Sequence, residues 1–484
     1  MCGNIFPTSE PMIALIHSPG SSRPTGRGNG GTPDHKHSLS RPPLLALALV
    51  LSVVVSACGS DEVIEDRTAI SVSERGGDVA LETAGADAAQ PCPSDPGPKL
   101  PAGFCAAIFA DSLGGPRHLT VREDGAVFVV RQTGPNGQPG VVAMRDTNGD
   151  GRADVRELFG PLGGTGIRLA DGHLYVDARQ SIIRYPLPST ALEPSGSPDT
   201  IVSGLPTGGH AARNFVLDGR GGMIVNFGSR TNSCQERDRG KGSPGVDPCI
   251  ERDVRAGLWR FEADRPGQKV EDGEHYAAGI RNAVALERAP DGQLWVVQHG
   301  RDQLFQNWGD LYTEQQSAEN PGEELLRVNR NDDFGWPYCY FDMNQKKMVL
   351  APEYGGDGGK AIGRCAQMKG PVTAFPAHWA PMALLFYTGS QFPARYREGV
   401  FIAFHGSWNR APLAQGGYNV VFQPMRDGRP SGAYEIFADG FAGATVTPSG
   451  AVHRPTGLAE GPDGAIYVSD DKGGTIFRIT YQGR

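Results

Sequence analysis

The sequence predicts an all-β fold, a six-bladed β-propeller that follows a signal-bearing N-terminus. Three observations predict it. A polar turn with Asp-Gly or Glu-Gly, followed at once by a short apolar strand, recurs six times. A second strand follows each copy, often ending in a basic residue. Glycine is abundant, with 67 residues, and helical heptads are absent. Six hairpin-rich units of this kind read as the blades of a propeller, whose repeat stacks sheets around a central channel.

The six copies of the turn are Arg122 to Val130, Asp171-Gly172 before Leu174 to Val176, Asp218 to Gly222 before Met223 to Val225, Asp291-Gly292 before Leu294 to Val296, Glu398-Gly399 before Val400 to Ile402, and Asp463-Gly464 before Ile466 to Val468. The strands expected after them are Val141–Arg145, Ile182–Arg184, Leu258–Arg260, Leu325–Arg327, Val420–Val421 and Ile476–Arg478. Short β-rich runs bounded by such turns are the local signature of hairpins.

The N-terminus reads as a separate object. Met1 to Pro42 is polar and rich in Gly, Pro and Ser. Leu44 to Ala57 is an uncharged apolar run, too short for an ordinary membrane span but right for a signal-peptide core. Val55-Ser56-Ala57-Cys58 resembles a bacterial lipobox, which makes Cys58 the candidate lipid anchor of an exported protein. Residues 59–91 carry eight acidic and two basic side chains and no aromatics, the composition of a disordered tether. The predicted organisation is therefore a leader over 1–58, a linker over 59–91 and the propeller over 92–484. Net charge is -8, which argues against a nucleic-acid partner. Six cysteines follow Cys58. Their spacing favours the sequential disulfides Cys92–Cys105, Cys234–Cys249 and Cys339–Cys365 among the connectivities open to them.

A further segment precedes each turn and is expected to be the innermost strand of its blade. Four of these segments place Arg117, His210, Arg281 and Arg454 in equivalent positions, with Arg213 and Asn282 nearby. Cations gathered at one locus repel one another and need an anionic ligand or flanking carboxylates. Arginine holds planar carboxylates bidentately, so a small polycarboxylate or a phosphate fits. His210 is the candidate general base, because neighbouring cations keep an imidazole neutral. The fifth blade adds His405-Gly406-Ser407-Trp408-Asn409-Arg410 directly after its strand, with Trp408 able to stack on a flat ring and Asn409 and Arg410 able to hydrogen-bond its substituents.

Two metal sites are candidates. Asp146, Asn148, Asp150, Asp154 and Glu157 match positions 1, 3, 5, 9 and 12 of a calcium loop, with Gly151 at position 6. Gly300, Arg301 and Asp302, together with Glu323 and Glu324, could offer carboxylate and carbonyl oxygens near the channel mouth.

The segments Gly-His-Ala-Ala-Arg-Asn (209–214), Gly-Ile-Arg-Asn (279–282), Phe-Gly-Trp-Pro-Tyr-Cys (334–339), His-Gly-Ser-Trp-Asn-Arg (405–410) and Arg-Pro-Thr-Gly-Leu (454–458) with Tyr-Val-Ser-Asp-Asp-Lys-Gly-Gly (467–474) resemble the glucose/sorbosone dehydrogenase family, most closely its sorbosone and pyranose dehydrogenase branch. The resemblance covers residues 98 to 484 and implies a six-bladed propeller, a pyrroloquinoline quinone (PQQ) cofactor and Ca2+. PQQ is planar with three carboxylates, which answers the charge of the arginines. Carried over by motif, His210 is the base that takes a sugar hydroxyl proton, and Arg281 and Asn282 contact the quinone. Arg454, and by its equivalent position Arg117, hold cofactor carboxylates. His405, Trp408 and Asn409 form the cofactor-side loop, and Gly300, Arg301 and Asp302 lie where calcium approaches the cofactor. The soluble glucose dehydrogenases also place a lysine on the cofactor; no lysine stands in repeat phase here, and neither Asn419 nor Lys472 matches. The implied activity is dehydrogenation of a sugar or aldose, with electrons passed to an external acceptor. A non-catalytic surface scaffold and a metal-dependent lactonase-type propeller are the rival readings, and neither calls for the basic strand starts.

Overall fold

The computed structural model describes residues 97–483. The leader, Cys58, the linker and Cys92 lie outside these residues. Six antiparallel sheets follow one another along the chain. The first blade comprises Gly115–Val121, Val127–Thr133, Val141–Arg145 and Val155–Phe159. The second comprises Ile167–Ala170, His173–Asp177, Ser181–Pro186 and Asp199–Ser203, with Gln268–Lys269 added in parallel at its edge. Phe215–Leu217, Gly222–Phe227, Gly257–Glu262 and Glu274–Ala278 form the third, and Ala285–Arg288, Leu294–Gln298, Glu323–Val328 and Thr373–Phe375 the fourth. The fifth holds Pro381–Phe386, Gly399–Phe404, Asn419–Arg426 and Glu435–Ala438. The sixth holds Pro455–Glu460, Ile466–Asp470 and Thr475–Tyr481.

The sixth blade takes its outermost strand from the other end of the domain. Phe104–Ala110 pairs antiparallel with Thr475–Tyr481, so the first strand closes the ring on the last blade. First strands touch in ring order, from the first blade round to the sixth and back. All six expected turn-strand units lie in register with these blades.

The recurrent turn has a physical basis. Asp124, Asp291 and Asp463 each accept a hydrogen bond at Oδ1 from the backbone N–H two residues on, while Gly125, Gly292 and Gly464 take φ values of +81°, +83° and +83°. An Asx turn followed by a left-handed glycine reverses the chain in a tight hairpin.

Each second strand is apolar on both faces because each face meets a different neighbour. Phe128 packs toward the second blade beside Leu174 and Ile183, whereas Val129 packs toward the sixth beside Phe109 and Tyr467. Val400 and Phe401 divide in the same way between the fourth and sixth blades. This is why the strands read as continuous apolar runs rather than alternating ones.

Two long insertions stand on the blades. Residues 228–256 interrupt the third blade and carry the Cys234–Cys249 disulfide. Residues 329–372 interrupt the fourth, with a small hairpin of Cys339–Asp342 and Lys347–Leu350 tied by Cys339–Cys365. Both disulfides share a core with Trp336, Tyr338 and Met348, so the insertions brace each other. Cys105 is also disulfide-bonded; its predicted partner, Cys92, falls outside the described residues.

Candidate functional site

A cavity of about 750 Å3 opens among residues of the first five blades. Gln132 comes from the first blade, and Thr165, Arg179 and Gln180 from the second. His210 and Arg239 come from the third, Arg281, Asn282, His299, Gly300, Asp302 and Glu323 from the fourth, and Trp408 and Asn409 from the loop after the fifth-blade strand Gly399–Phe404. The channel is bridged by His118, whose Nε2 bonds the Met382 carbonyl at 2.8 Å, and by Arg168, which pairs with Glu287 at 3.0 Å.

His210 sits just before the inner strand of the third blade. Its Nδ1 lies 2.9 Å from both the carbonyl and the Oγ of Ser229. The Ser229 hydroxyl spends its proton on the Thr231 carbonyl at 2.7 Å. Both partners of Nδ1 are therefore acceptors, so Nδ1 carries the proton and Nε2 keeps its lone pair. Burial, reinforced by Arg281, pushes the imidazole down to about 3, so it is neutral throughout the ordinary pH range. Gly228 makes the seat: a Cβ there would lie 2.4 Å from the His210 carbonyl and 2.7 Å from Asn282 Oδ1.

Asp302 organises the same wall from the fourth blade. Its Oδ2 accepts from Arg281 at 3.1 Å and from Arg239 at 3.0 Å, and its Oδ1 accepts from Asn409 Nδ2 at 2.8 Å. Burial raises its carboxyl, but Arg281, His378 and Arg239 outweigh that and hold it below the usual carboxylate range. Arg281 further donates to the Asn232 carbonyl, Asn232 Oδ1 and the Gly300 carbonyl, so four of its five N–H groups are spent and one Nη1–H is left for the cavity. Glu323 is capped by the N–H groups of Gly300 at 2.9 Å and Ala380 at 3.2 Å; burial still raises its carboxyl to about 7. His378 and Ala380 line the cavity with φ of +65° and +60°, backbone strain at non-glycine residues.

The expected single convergence of cations divides in two. His210, Arg281, Asn282, Trp408 and Asn409 line the cavity together. Arg117, His405 and Arg454 do not. They gather on Asp471 of the sixth blade, which takes Arg117 at 2.5 Å and His405 Nε2 at 2.7 Å. Arg454 donates to the His405 and Gly406 carbonyls, both at 2.9 Å, and covers the Tyr418 ring. Arg213 turns into the protein toward Asp177 at 3.7 Å. The flanking carboxylates, not a ligand alone, make the cations tolerable. Asp471 stands in the Ser469-Asp470-Asp471-Lys472 run, where its sequence neighbours do not mark the blades it binds.

The calcium-loop residues differ from expectation. Asp146 accepts from Gly149 N at 2.7 Å and Gly151 N at 2.8 Å, Asn148 Oδ1 from Asp150 N at 2.9 Å, and Asp154 from Thr147 N at 2.9 Å. Glu157 is drawn into the strand Val155–Phe159, opposite Ala143. The loop is a hairpin closed by its own Asx turns, and among the described residues no three acidic, His or Cys side chains converge on a metal position. Arg301 also departs from its expected place: its guanidinium is buried against Glu353 at 2.5 Å.

An uncharacterised protein of Borreliella burgdorferi is 30% identical over 216 residues, 44% of this chain and 50% of that protein. The pyrroloquinoline quinone-dependent pyranose dehydrogenase of Coprinopsis cinerea is 26% identical over 239 residues, 42% of this chain and 30% of the enzyme. The matched part thus spans half or less of each of these curated relatives. The calcium structure of the Trichoderma reesei carbohydrate-active enzyme of family AA12 superposes with a TM-score of 0.65 at 19% identity, covering 80% of this chain and 98% of that one, a likeness of fold. A family model described as TrAA12-like matches residues 98–482, nearly the whole described propeller, and the chain belongs to that family.

Proposed function

We propose that the protein is a PQQ-dependent sugar dehydrogenase in which His210 is the proton acceptor. Family membership and the likeness to a quinone-dependent pyranose dehydrogenase support the class. The observation that carries the proposed mechanism is the fixed tautomer of His210, a neutral imidazole with a free Nε2 in the wall of the large cavity.

The residues present fit a flat, polar, anionic cofactor. Asn409 Oδ1 and His299 Nδ1 are buried without a hydrogen-bond partner among the described residues. Arg281 keeps an N–H for an incoming oxygen, Asn282 stands beside it, and Trp408 offers a ring face at the mouth. Bound PQQ supplies the two-electron acceptor. The side chains do the rest. Arg281, Asn282 and Asn409 hold the acceptor, and a sugar hydroxyl directed at His210 Nε2 loses its proton there as its carbon is oxidised. Calcium belongs to the same proposal, by analogy with the Trichoderma reesei enzyme. Of the oxygens expected for it, Asp302 Oδ2 is taken by Arg239 and Arg281 and Oδ1 by Asn409, the Gly300 carbonyl is taken by Arg281, and Glu323 is capped by backbone N–H groups. That set does not fit a cation as arranged, and no step is assigned to one.

The apolar run before Cys58 supports export and a lipid anchor, which would place an external electron acceptor within reach. The deciding experiment titrates the purified chain with PQQ and Ca2+ and screens aldoses with an artificial electron acceptor. Saturable quinone absorbance with turnover on at least one aldose is the expected result. No PQQ binding at micromolar concentration would overturn the proposal.

A further inference from the structure

Three arginines line the cavity, and the side chain of one of them has no partner among the described residues. Arg239 and Arg281 both end on Asp302. Arg179 makes no side-chain hydrogen bond or ion pair among the described residues. Its backbone is nevertheless fixed. The amide donates to Asp177 Oδ1 at 3.0 Å, the carbonyl accepts from Arg213, and φ is +67°, in the left-handed region. The side chain has a seat as well. A Cβ on Gly163 would lie 2.4 Å from Arg179 Cδ and 2.6 Å from its Nε, so the stem lies flat across that glycine, itself at φ +100°.

The carboxylates that line the same cavity do not neutralise this guanidinium. Asp302 is taken by the other two arginines, and Glu323 is capped by backbone N–H groups. The neutral amides of Gln132 and Gln180 also line the cavity with Arg179. Depth separates the two sets of cations. Arg281 and Asn282 are buried, whereas Arg179 is exposed, at the mouth. An occupant of the outer wall meets Arg179 and one of the inner wall meets Arg281.

We propose that Arg179 binds a carboxylate carried by the substrate, so that the preferred sugars are acidic ones of the hexuronic class. This rests on the sugar-dehydrogenase reading above. A pre-positioned guanidinium recognises a carboxylate through paired N–H donors, and the neighbouring glutamines suit hydroxyls.

The test is calorimetric binding of D-galacturonate and D-galactose to the full chain, with and without PQQ, in wild type, Arg179→Gln and Arg179→Lys. Wild type should bind galacturonate more tightly than galactose by about fivefold at low salt, with the gap narrowing as salt rises. Arg179→Gln should bring the ratio to about one, leaving galactose affinity unchanged, and Arg179→Lys should keep part of the preference. A wild-type ratio of one or below, a ratio untouched by Arg179→Gln, or no binding of either sugar would overturn the inference. So would loss of PQQ affinity in Arg179→Gln without change in the sugar ratio, which would put Arg179 on the cofactor. Absence of a quinone band alone would instead count against the dehydrogenase reading, since the sugar ratio is read without PQQ too.

Discussion

The imidazole of His210 donates from Nδ1 to Ser229, whose carbonyl and hydroxyl oxygens both lie at 2.9 Å. That one contact sets which nitrogen can receive a proton. His210→Ala should therefore lower turnover by about 10²–10⁴-fold and leave the quinone band in place. Ser229→Ala keeps the carbonyl partner and should cost only a few-fold in rate. Steady-state assays with a fixed artificial acceptor check both. Turnover of His210→Ala within tenfold of wild type would remove His210 from proton transfer.

Among the described residues, Asp302 is the one carboxylate in ion-pair contact with the buried Arg281. Taking away one member of a buried pair leaves the other charge unpaired in a poorly solvated place. Asp302→Ala should cost about 3 kcal/mol of unfolding free energy. Glu274→Ala, which frees the exposed Arg330, should change stability by less than about 1 kcal/mol. Denaturant unfolding of the two variants side by side makes the comparison. Equal effects would mean that Asp302 does not carry the cavity wall.

Stability should be highest over a plateau between about pH 4.5 and 6.5 and fall on both sides. Burial first, with nearby arginines, holds His118, His210 and His299 at about 3. Below 6.5 the unfolded chain takes up protons that these histidines refuse, so each withdraws about 1.4 kcal/mol per pH unit as the solution is acidified. Burial raises Asp177 to about 6, Glu323 to about 7 and Glu324 to about 8. The folded chain keeps protons there that the unfolded chain releases above its ordinary carboxyl range, so stability falls as pH rises toward those values. These three large shifts oppose three across the plateau, while burial also lowers His275, His378 and His405 and raises Glu460, which leaves the histidines ahead and sets the maximum toward the upper end. Acid adds the cost of protonating Asp302 and Asp471, both held low by their partners against burial, so the acid side should be steeper. Melting temperatures of the cofactor-free chain across pH 3–9 measure this. A maximum above pH 8 would contradict it.

The blades were legible because each repeat carries its own turn chemistry. Asp124, Asp291 and Asp463 make the same Asx turn, and two-sided packing keeps every following strand apolar. Repeat phase also located His210 and Arg281, which do share a wall. It failed for Arg117 and Arg454, because equivalent backbone positions do not fix where a long side chain ends. That depends on Asp471, a non-repeating residue of one blade. The strand Phe104–Ala110 was missed for a related reason: it belongs to the sixth blade and lies more than 300 residues before it, so nothing local marks it. The spacing over 146–157 marks a turn, but an Asp-Asn-Asp pattern serves a self-capped hairpin as well as an ion.

Asp471 also makes a prediction about ring closure. It follows the sixth-blade strand Ile466–Asp470 and binds Arg117 on the first blade and His405 at the end of the fifth-blade strand Gly399–Phe404. One carboxylate thus ties the last blade to both neighbours, beside the seam where Phe104–Ala110 meets Thr475–Tyr481. Asp471→Asn keeps the shape but removes the charge, leaving the buried Arg117 without its carboxylate. The expected loss is about 2–3 kcal/mol, with faster amide exchange in those two strands than in the third blade, which the substitution does not touch. Hydrogen exchange read by mass spectrometry resolves the two regions. Uniform exchange, or no loss of stability, would mean that strand pairing alone closes the ring.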